Sequence, residues 1–403
     1  MAGENPDLLV VGGGPAGMMA GLLFARAGVN TLVIEKHGDF LRDFRGDTVH
    51  PSTLELMDEL GLLEDFLRRP HDEIRTLTAR VADERITIAD LTHLKVKCPF
   101  VALMPQWDFL DFIAAAARKY PAFSLRMNSQ AVDLIEEDGR VSGVRLADGR
   151  EVRPRQLTIA ADGRGSILRA KSGLPLRELG APIDVLWFRL PKGASAYGET
   201  GGTFGQGAFI VQLNRGDYWQ CAYVVPKGAA EDLRARGIAA FRSDVARAVP
   251  DLADVTGTLE SWEQVKLLSV SLDRLDHWSR PGLLCIGDAA HAMSPVGGVG
   301  INLAIQDAVA AANILAAPLV RGETVDALLE KVQDRRMLPV KLIQAGQKAV
   351  HDRILTPLVV RKAVLDKVPF VLRLFKLFPI LRRIPARIVG LGFRREHIHS
   401  PEA

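Results

Sequence analysis

A glycine-rich loop near the start of the chain has the spacing of a nucleotide-binding site. The segment from Gly12 to Gly17 fits G-x-G-x-x-G and lies between an apolar run and a stretch of helical composition. In that context Gly12 permits a tight turn, Gly14 lets the backbone approach a pyrophosphate, and Gly17 lets helix and strand pack closely. The helix that starts at Pro15 adds the free N–H groups of its first turn, from Ala16 onward, and the positive end of a dipole. A glycine-rich turn without a ligand is the alternative, but the flanking strand and helix favour a dinucleotide site.

An acidic residue follows at the distance expected for ribose recognition. Glu35 stands 23 residues after Gly12 and ends a second apolar run, Thr31 to Ile34. Its carboxylate can accept hydrogen bonds from a ribose diol and disfavours a 2′-phosphate, so NADP is not expected in this site. We include the adjacent Lys36 among the predicted cofactor contacts. The glycine motif alone does not distinguish FAD from NAD.

A second segment, from Leu284 to Ala308, distinguishes the two cofactors. It contains Gly287-Asp288-Ala289-Ala290-His291, then Pro295, then Gly297-Gly298-Val299-Gly300-Ile301-Asn302. Asp288 follows a buried run, and its carboxylate suits a ribityl hydroxyl. The glycines leave room for an isoalloxazine ring, and a helix beginning near Ile301 directs its N–H groups and dipole toward the flavin. We therefore predict FAD, with further contacts from Pro295, Gly298, Gly300, Ile301 and Asn302.

Four features together resemble the flavoprotein monooxygenase family typified by p-hydroxybenzoate hydroxylase. They are the first glycine motif with Glu35, the stretch Asp162-Gly163-Arg164-Gly165-Ser166 with Arg169, the Gly287-Asp288 motif, and Arg45 after the second strand. They span about three quarters of the chain in the family's order. Val299 stands where family members often have Gln, a departure that removes a side-chain amide but no backbone donor.

The resemblance implies cofactor roles residue by residue. On the adenosine side, Glu35 would bind the ribose, Val132 would contact the adenine through its backbone, and Arg45 would contact the pyrophosphate. On the flavin side, Gln106 would contact the cofactor and Asp288 would bind the ribityl chain. Asp162 and Gly163 would contact both FAD and a transient nicotinamide cofactor.

Two side chains within these motifs invite a catalytic role. His291 is interpreted as a structural hydrogen-bonding residue in preference to a reactive one, because histidine is as often packed as reactive. Ser166 has no G-x-S-x-G context and no evident base, so we do not assign it as a nucleophile. The catalytic side chains stay unassigned.

The pattern of elements predicts an α/β fold, in which a β-rich substrate domain is inserted into a Rossmann-like FAD-binding domain and C-terminal helices follow. We predict an initial strand–helix–strand unit, later helices over 51–67 and 107–119, a strand over 151–159, and helix from 301 onward interrupted by prolines. The predicted boundaries are 1–75, 100–180 and 270–340 for the FAD-binding domain, 76–99 and 181–269 for the substrate domain, and 341–403 for the C-terminal helical segment.

Composition excludes several classes of protein. The 403 residues carry a net charge of only +3, which argues against a nucleic-acid partner. Cys98, Cys221 and Cys285 are far apart and lack metal-ligand spacing, so we expect no metal site and a reducing, cytoplasmic location. The N-terminus lacks the basic region of a secretory signal. The apolar stretch from Ile301 to Val320 contains polar residues and is interpreted as a buried helix, not a membrane span.

Charge is unevenly distributed along the chain. Residues 353–399 contain 11 Lys and Arg against two acidic residues, a local charge of +9, and the remainder carries −6. This segment mixes Leu and Phe with basic residues. It could pack on its own chain, pack on a second subunit in a homodimer, or contact an anionic membrane surface. Packing is the favoured interpretation.

The β-rich segment holds the candidate substrate residues. Its aromatic residues include Trp187, Phe188, Phe204, Phe209, Trp219 and Tyr223, and its polar residues include Arg189, Gln206, Gln212 and Gln220. One face of such strands would form an apolar cavity suited to an aromatic or polycyclic compound. An ordinary sheet core explains the same pattern equally well.

The resemblance implies a monooxygenase. NADPH or NADH would reduce FAD, O₂ would add to give a flavin hydroperoxide, and one oxygen atom would pass to an aromatic, polycyclic or other apolar organic substrate. One alternative is a reductase or dehydrogenase of a C–C double bond, similar to geranylgeranyl reductases. Another is a flavin-binding protein without turnover. The W-x-W-x-I-P pattern of flavin halogenases is absent, since Trp262 is followed by Glu-Gln-Val.

Overall fold

The computed structural model describes residues 5–41, 48–81, 84–193, 200–205, 207–361 and 368–403. In chain order the strands are β1 (Leu8–Val11), β2 (Thr31–Ile34), β3 (Thr48–Val49), β4 (Asp72–Ile74), β5 (Thr76–Val81), β6 (Glu84–Asp90), β7 (Val101–Leu103), β8 (Phe123–Arg126), β9 (Ala131–Glu137), β10 (Arg140–Leu146), β11 (Glu151–Val152), β12 (Leu157–Ala160), β13 (Leu176–Glu178), β14 (Ile183–Pro191), β15 (Gly201–Gly205), β16 (Ala208–Asn214), β17 (Tyr218–Pro226), β18 (Lys266–Leu268), β19 (Asp273–Leu275), β20 (Ser279–Arg280) and β21 (Leu283–Cys285).

The α-helices are α1 (Pro15–Arg26), α2 (Pro51–Glu59), α3 (Leu63–Leu67), α4 (Gln106–Ala117), α5 (Ile167–Lys171), α6 (Ala230–Ala235), α7 (Ile238–Ala248), α8 (Gly300–Val320), α9 (Leu329–Val350), α10 (Phe370–Leu377) and α11 (Arg383–Gly390). A π-helical segment covers His351–Val360. Short 3₁₀ turns include Leu91–His93, Gly287–Ala289, Val296–Gly298 and Pro379–Arg382.

A six-stranded sheet of order β20-β21-β12-β1-β2-β8 forms the nucleotide-binding half of the fold. Its central strands run parallel, and only β20 pairs antiparallel. All four residues of β1 are buried, as expected for a parallel strand covered on both faces. Helix α1 packs against both α4 and α8. The fold class is therefore the α/β arrangement predicted from the sequence.

Helix α8 lies in the core of this half. Within the described residues, Val296–Val320 alone has the length and hydropathy to cross a membrane, with a mean hydropathy of 1.6. Of its most apolar window, 72% is buried inside the fold. Asp307 in this helix is fully buried and ion-paired within the protein. These contacts fit the predicted core helix.

A seven-stranded sheet of order β18-β14-β17-β16-β15-β5-β6 forms the second half of the fold. Successive side chains on a strand point to opposite faces, so β14 contributes to two separate cores. Phe188 packs with Phe241 of α7 on one face. Val185 packs with Leu355 of the π-helical segment on the other. The alternation predicted from sequence thus becomes one face covered by α7 and one covered by the π-helical segment.

This sheet joins residues 76–90 with residues 183–268, although β8 and β12 of the six-stranded sheet lie between them in sequence. Its composition supports an inserted substrate domain, and the exact division of the chain stays a prediction. Helix α9 runs continuously through the boundary predicted between residues 340 and 341.

Three of the predicted elements differ in detail. The helix predicted over 51–67 is two helices, because Gly61 adopts a left-handed φ of 68° between them. The strand predicted over 151–159 is also divided, and Pro154, which cannot donate to a sheet, lies in the gap. Pro318 and Pro339 were expected to interrupt helix, yet they lie inside α8 and α9.

The C-terminal residues pack on their own chain. Helices α10 and α11 lie against β6. The last residues then return to the nucleotide-binding half, where Arg395 pairs with Glu55 at 2.5 Å. Arg26 pairs with Glu402 at 2.6 Å, and the Ala403 amide donates to the Arg26 carbonyl at 2.9 Å. This is the packing that the segment's charge favoured.

Candidate functional site

The glycine loop between β1 and α1 is built for close backbone approach. Gly12 has a φ of 112°, and a Cβ there would lie 2.3 Å from the Ala161 carbonyl oxygen. A Cβ at Gly17 would lie 1.9 Å from the Gly12 carbonyl oxygen, so helix and strand pack only because both are glycine. A Cβ at Gly14 would meet nothing within 4 Å. Protein packing therefore explains two of the three motif glycines and leaves Gly14 facing open space.

Helix α1 begins directly from this loop with its N-terminus uncapped. Gly14 is the N-cap residue and Pro15 the first helical residue, with no side-chain cap and no acidic residue in the first turn. The first amides of a helix have no partner within the helix, and the dipole there is positive. Ala16, in the same turn, packs beside Gly287 of the second motif. This arrangement suits a pyrophosphate.

Glu35 closes one side of the loop from the end of β2. It is 8% exposed, and its carboxylate accepts from the Gly13 amide at 2.8 Å and from the His37 amide at 3.1 Å. The loop and the acid are thus held together before any ligand binds. Lys36 is exposed beside it. The Ser129 amide donates to the Glu35 carbonyl at 2.8 Å, which brings the start of β9, with Val132, to this end of the sheet.

Asp162 and Gly163 follow β12 at the next strand end. Ser166 donates to Asp162 Oδ1 at 2.5 Å, and the Leu168 amide donates to Oδ2 at 3.3 Å. Burial raises the pKa of Asp162, and these hydrogen bonds, which lower it, only partly offset that effect. Ser166 also caps α5 by accepting from the Arg169 amide, which gives this hydroxyl a structural role in place of a nucleophilic one. Gly163 has a φ of 85°, and a Cβ there would meet nothing within 4 Å.

Two arginines join this segment to the second motif. Arg164 Nε pairs with Asp288 Oδ2 at 2.8 Å, and Arg164 Nη2 donates to the Met293 carbonyl. Arg169 donates to the carbonyls of Asp288 and Ala289, each at 3.4 Å, and pairs with Asp273. The two predicted motifs are therefore one site. The Arg164–Asp288 pair was not predicted from the sequence. The one sequence feature that could have indicated it is the position of this arginine between Gly163 and Gly165.

One buried donor remains at this junction. Within the described part of the chain, Arg164 Nη1 is buried and has no hydrogen-bond partner. A buried guanidinium nitrogen without an acceptor is costly, so it marks a position where an oxygen of a ligand would be stabilised.

His291 holds the second motif in place. It is 1% exposed, its Nε2 lies 2.6 Å from Asp307 Oδ2, and its ring packs 5.0 Å from that of Trp278. The same Asp307 oxygen accepts from the Gly287 amide at 3.1 Å. Asp307 Oδ1 accepts from the buried Arg336 at 3.0 Å. These contacts agree with the structural interpretation of His291.

The glycine loop before α8 forms a second side of the predicted cofactor site, in addition to the loop between β1 and α1. Gly297 and Gly298 have φ values of 81° and 63°, and the nearest atom to a Cβ at Gly300 is 3.7 Å away. Helix α8 starts at Gly300 and Ile301 after the loop that follows Pro295, without a side-chain cap or an acidic first turn. Its first amides and positive dipole end are thus available, as at α1.

Asn302 has a different side-chain role from the one expected of a cofactor contact. Its Oδ1 accepts from the His50 amide at 3.0 Å and from Thr53 Oγ1 at 2.7 Å. Its Nδ2 donates to the carbonyls of Thr48 and Gly298. Only the backbone amide of Asn302 is left for a cofactor contact. Burial lowers the pKa of the neighbouring His50 to about 4, so this ring is neutral at pH 7.

Gln106 and Arg45 are the two remaining predicted contacts. Gln106 opens α4, which packs against α1. Arg45 lies outside the described residues. Among described residues, no cluster of potential metal ligands is present. The three cysteines are buried and free.

These features together fit FAD. The uncapped helices α1 and α8 both adjoin Gly287 near their N-termini, through Ala16 and Ala304. The open space at Gly14, the oriented Glu35 and the partnerless Arg164 Nη1 supply further positions for a dinucleotide. A family model described as an FAD binding domain matches residues 5–345. The chain belongs to the FAD-dependent aromatic monooxygenases.

Relatives of this monooxygenase share most of its length. It is 34% identical over 346 residues to 6-methylpretetramide 4-monooxygenase of Streptomyces rimosus, covering 83% of this chain and 81% of that protein. It is 25% identical over 338 residues to para-nitrophenol 4-monooxygenase of Pseudomonas sp. strain WBC-3, covering 82% of each. Pseudomonas aeruginosa PqsL, solved with 2-aminobenzoylacetate, shares the fold with a TM-score of 0.74 and 22% identity, covering 89% of this chain and 98% of that one. The monooxygenase is thus an FAD-dependent oxidoreductase.

We expect Gly14→Ala to weaken FAD binding without destabilising the monooxygenase. Gly14 has an ordinary extended backbone, φ −76° and ψ −176°, and its Cβ would meet no protein atom within 4 Å. The free energy of unfolding of the apoprotein should be unchanged or higher by about 0.4–1 kcal/mol. The methyl group would occupy the space where the pyrophosphate approaches, so the Kd for FAD should rise at least about tenfold, a cost of about 1.4 kcal/mol.

Fluorescence titration of the apoprotein with FAD measures this effect. Gly257→Ala is the matched control, since its Cβ would also meet nothing within 4 Å and it lies in a 3₁₀ turn outside the site. Equal FAD affinity in the two variants would contradict the placement of the pyrophosphate at Gly14.

Proposed function

We propose that this monooxygenase hydroxylates an aromatic or polycyclic substrate held between the seven-stranded sheet and the loop before α8. The observation that carries the proposal is one apolar cluster. Trp187, Phe204 and Phe209 are only partly buried, and they pack in the same cluster as Val296, which belongs to the glycine loop of the cofactor site. The ring centroids of Phe204 and Phe209 are 4.1 Å apart in a stacked arrangement. Flat aromatic surfaces thus adjoin the proposed flavin position.

The other predicted aromatics belong to a different face. Phe188, Trp219 and Tyr223 pack with Phe241 of α7. They serve as sheet core in this proposal. The two hypotheses drawn from the sequence, sheet core and substrate cavity, therefore each apply to one face.

The predicted polar residues offer few contacts to a substrate on the first face. Arg189 is exposed over the ring of Tyr218, and Gln220 accepts from Arg215. Gln212 accepts from Thr203, and Gln206 lies outside the described residues. Trp187 Nε1 is different, because it is buried without a partner in the described structure. We propose it as a donor to a polar group of the substrate.

The substrates named for the relatives support an aromatic compound. The names of the two relatives specify 6-methylpretetramide and para-nitrophenol. A sheet face lined by indole and phenyl rings is suited to such molecules, because aromatic rings pack favourably in offset or edge-to-face geometry.

FAD supplies hydride acceptance from NADPH or NADH and the activation of O₂ for transfer of one oxygen atom. We propose that the chain itself positions and shields these reactants. Glu35 holds the adenosine ribose, the α1 amides hold the pyrophosphate, and Asp288, oriented by Arg164, holds the ribityl chain. The α8 N-terminus stabilises negative charge on the isoalloxazine ring of the flavin. The apolar face of the sheet that carries Trp187 excludes water from the reactants.

We propose more limited roles for the remaining predicted contacts, Val132, Asp162 and Gly163. Val132 lies near the Glu35 end of the sheet and would reach adenine through its backbone. The Asp162 carboxylate already accepts from Ser166 and from the Leu168 amide, so contact with the nicotinamide cofactor would come through Gly163, whose surroundings are open. Cytoplasmic location also stays a prediction.

Substrate-stimulated oxidation of NADPH tests the proposed function. The flavin-loaded protein would be assayed with p-nitrophenol, with hydroxylated anthraquinones and with an isoprenoid alkene, following NADPH absorbance and dissolved O₂ together. We expect an aromatic compound to stimulate NADPH oxidation with equal uptake of O₂. Stimulation by the isoprenoid without O₂ uptake would establish the reductase alternative, and no stimulation by any member would favour a flavin-binding protein.

We expect Trp187→Phe to raise KM for the aromatic substrate about fivefold, because one hydrogen bond of about 1 kcal/mol is lost while an aromatic ring remains. Flavin content and kcat should change little. Steady-state kinetics of the substrate-stimulated reaction measure the effect. Trp219→Phe is the matched control, since its Nε1 is also buried without a partner in the described residues but faces α7. Equal KM changes in both variants would refute the assignment of faces.

A further inference from the structure

Helices α10 and α11, with the 3₁₀ turn between them, present a surface that is both apolar and exposed. We call residues 370–387 the C-terminal surface. Its outward side chains are large and apolar: Phe370 is 73% exposed, Leu377 69%, Phe378 54%, Ile380 62% and Ile384 59%. Burying such side chains in an apolar medium is favourable, so a cluster of this kind marks an interaction site.

The same helices have a second apolar face that is already covered. Ala386 of α11 is fully buried in a cluster with Leu91 and Leu103. A Cβ at Gly390 would lie 2.7 Å from Leu94, which shows how closely α11 approaches the turn after β6. The helices are therefore docked on the fold by one face, and the exposed residues form an additional face that this packing does not need.

Charge on the C-terminal surface has a single sign. Residues 368–393 contain five basic residues and no acidic residue. They are Arg373, Lys376, Arg382, Arg383 and Arg387. Lys376 pairs with Glu84 at 2.8 Å, and Arg382 donates to the Phe375 carbonyl. Arg383 and Arg387 are exposed beside Ile384.

A basic surface interleaved with exposed Phe, Leu and Ile matches an anionic bilayer. Apolar side chains enter the boundary between headgroups and acyl chains, while Arg and Lys bind anionic headgroups. A second copy of the chain fits less well. A two-fold dimer through this surface would bring the same basic patch against itself, and like charges repel.

We infer that the C-terminal surface docks this monooxygenase on anionic lipid bilayers as a peripheral contact. Strand β6, on which the helices lie, is the edge strand of the seven-stranded sheet. A docked molecule therefore holds that edge of the sheet at the bilayer. The inference rests on exposure and charge and is independent of the proposed substrate.

Vesicle co-sedimentation of the full-length, flavin-loaded protein tests this inference. The probes are vesicles of phosphatidylglycerol with phosphatidylcholine, and vesicles of phosphatidylcholine alone, each at low and high salt. We expect binding to the anionic vesicles that weakens at least about tenfold at high salt, since headgroup attraction is screened. Absence of binding to anionic vesicles at low salt would overturn the inference.

Two variants separate the apolar and the basic contributions. The triple change Phe370→Ser, Leu377→Ser and Ile380→Ser and the double change Arg383→Glu and Arg387→Glu should each weaken anionic-vesicle binding at least about tenfold. Flavin content should stay unchanged. The control is Leu338→Ser with Leu342→Ser, which removes exposed apolar residues from α9, 47% and 41% exposed.

The outcomes against the inference are equally specific. An equal loss of binding in the α9 control would mean that vesicle binding is not located at the C-terminal surface. Sedimentation velocity that shows a dimer in the intact protein and a monomer in the triple variant would assign the surface to a second copy.

Discussion

Asp288→Ala purified from cells is expected to contain little FAD while its fold is retained. The Asp288 carboxylate is proposed to accept hydrogen bonds from ribityl hydroxyls, and such bonds to a charged group contribute about 1.5–3 kcal/mol. Their loss corresponds to FAD affinity about 10- to 150-fold weaker, since 1.4 kcal/mol is a factor of ten. The ratio of flavin absorbance to protein absorbance measures the bound fraction, and circular dichroism checks the fold.

A control is needed because Asp288 also pairs with Arg164 at 2.8 Å. Arg164→Gln breaks that ion pair but keeps the carboxylate. We expect this variant to retain more FAD than Asp288→Ala, since only the orientation of the carboxylate and one donor are affected. Normal flavin content in Asp288→Ala would show that the second motif does not bind the ribityl chain. Equal losses in both variants would mean that the ion pair, not the carboxylate, determines binding.

Asp307→Ala is expected to lower the free energy of unfolding by about 3–5 kcal/mol, the range for breaking a buried ion pair. Asp307 is fully buried, and its carboxylate contacts His291, Arg336 and the Gly287 amide. Among the described residues, removing it leaves the buried Arg336 with Glu396, at 3.3 Å, as its one ionic partner. Urea unfolding of the apoprotein measures the change separately from any loss of FAD.

The pKa of Asp307 gives this prediction a pH dependence. Burial acts to raise that pKa, but the charges and hydrogen bonds of His291 and Arg336 lower it more. The pKa of Asp307 therefore lies below the ordinary value of 3.8. A carboxyl with a lowered folded-state pKa stabilises the protein fully above its unfolded pKa, and this stabilisation is lost as the pH falls through the folded value. The difference between wild type and Asp307→Ala should therefore be constant near pH 7 and shrink only below about pH 4.

The matched control is an acidic residue in an exposed ion pair. Glu323 pairs with Arg321 at 2.6 Å, and the two side chains are 51% and 57% exposed. Exposed pairs contribute about 0–1 kcal/mol, so Glu323→Ala should change the free energy of unfolding by less than about 1 kcal/mol. A similarly small change for Asp307→Ala would contradict the view that this network holds the second motif in place.

The strands and helices that carry the cofactor site could be predicted from sequence because their signals are local. The runs 8–11 and 31–34 are short, apolar and rich in Leu, Val and Ile, and the glycines from Gly12 onward have the spacing of a nucleotide-binding turn. The structure has strands at both positions, as predicted. Glu35 also follows from its distance to Gly12, since the strand–helix–strand unit sets the separation.

The pairs that connect distant segments could not be predicted in this way. Arg164 and Asp288 are 124 residues apart, and Arg336 and Glu396 are 60 apart. Nothing in either local pattern identifies the partner, because the contact exists only once the sheet brings the strand ends together. Asn302 illustrates the same limit, since its side chain bonds to His50 and Thr53 across about 250 residues.

The two faces of the substrate sheet show where alternation carries incomplete information. A period of two predicts that Trp187 and Phe188 point in opposite directions. It does not say which direction meets α7 and which meets the loop before α8. That assignment depends on where α7 and the π-helical segment, far apart in sequence, pack on the sheet.

The fate of isotopic oxygen tests the monooxygenase reaction most directly. The flavin-loaded protein would be supplied with NADPH, ¹⁸O₂ and an aromatic compound that stimulates NADPH oxidation, and the product would be analysed by mass spectrometry. We expect a product that carries one ¹⁸O atom for each NADPH consumed, with the second oxygen atom released as water. A product that contains no ¹⁸O and has gained two hydrogen atoms, formed without consumption of O₂, would contradict the proposed hydroxylation.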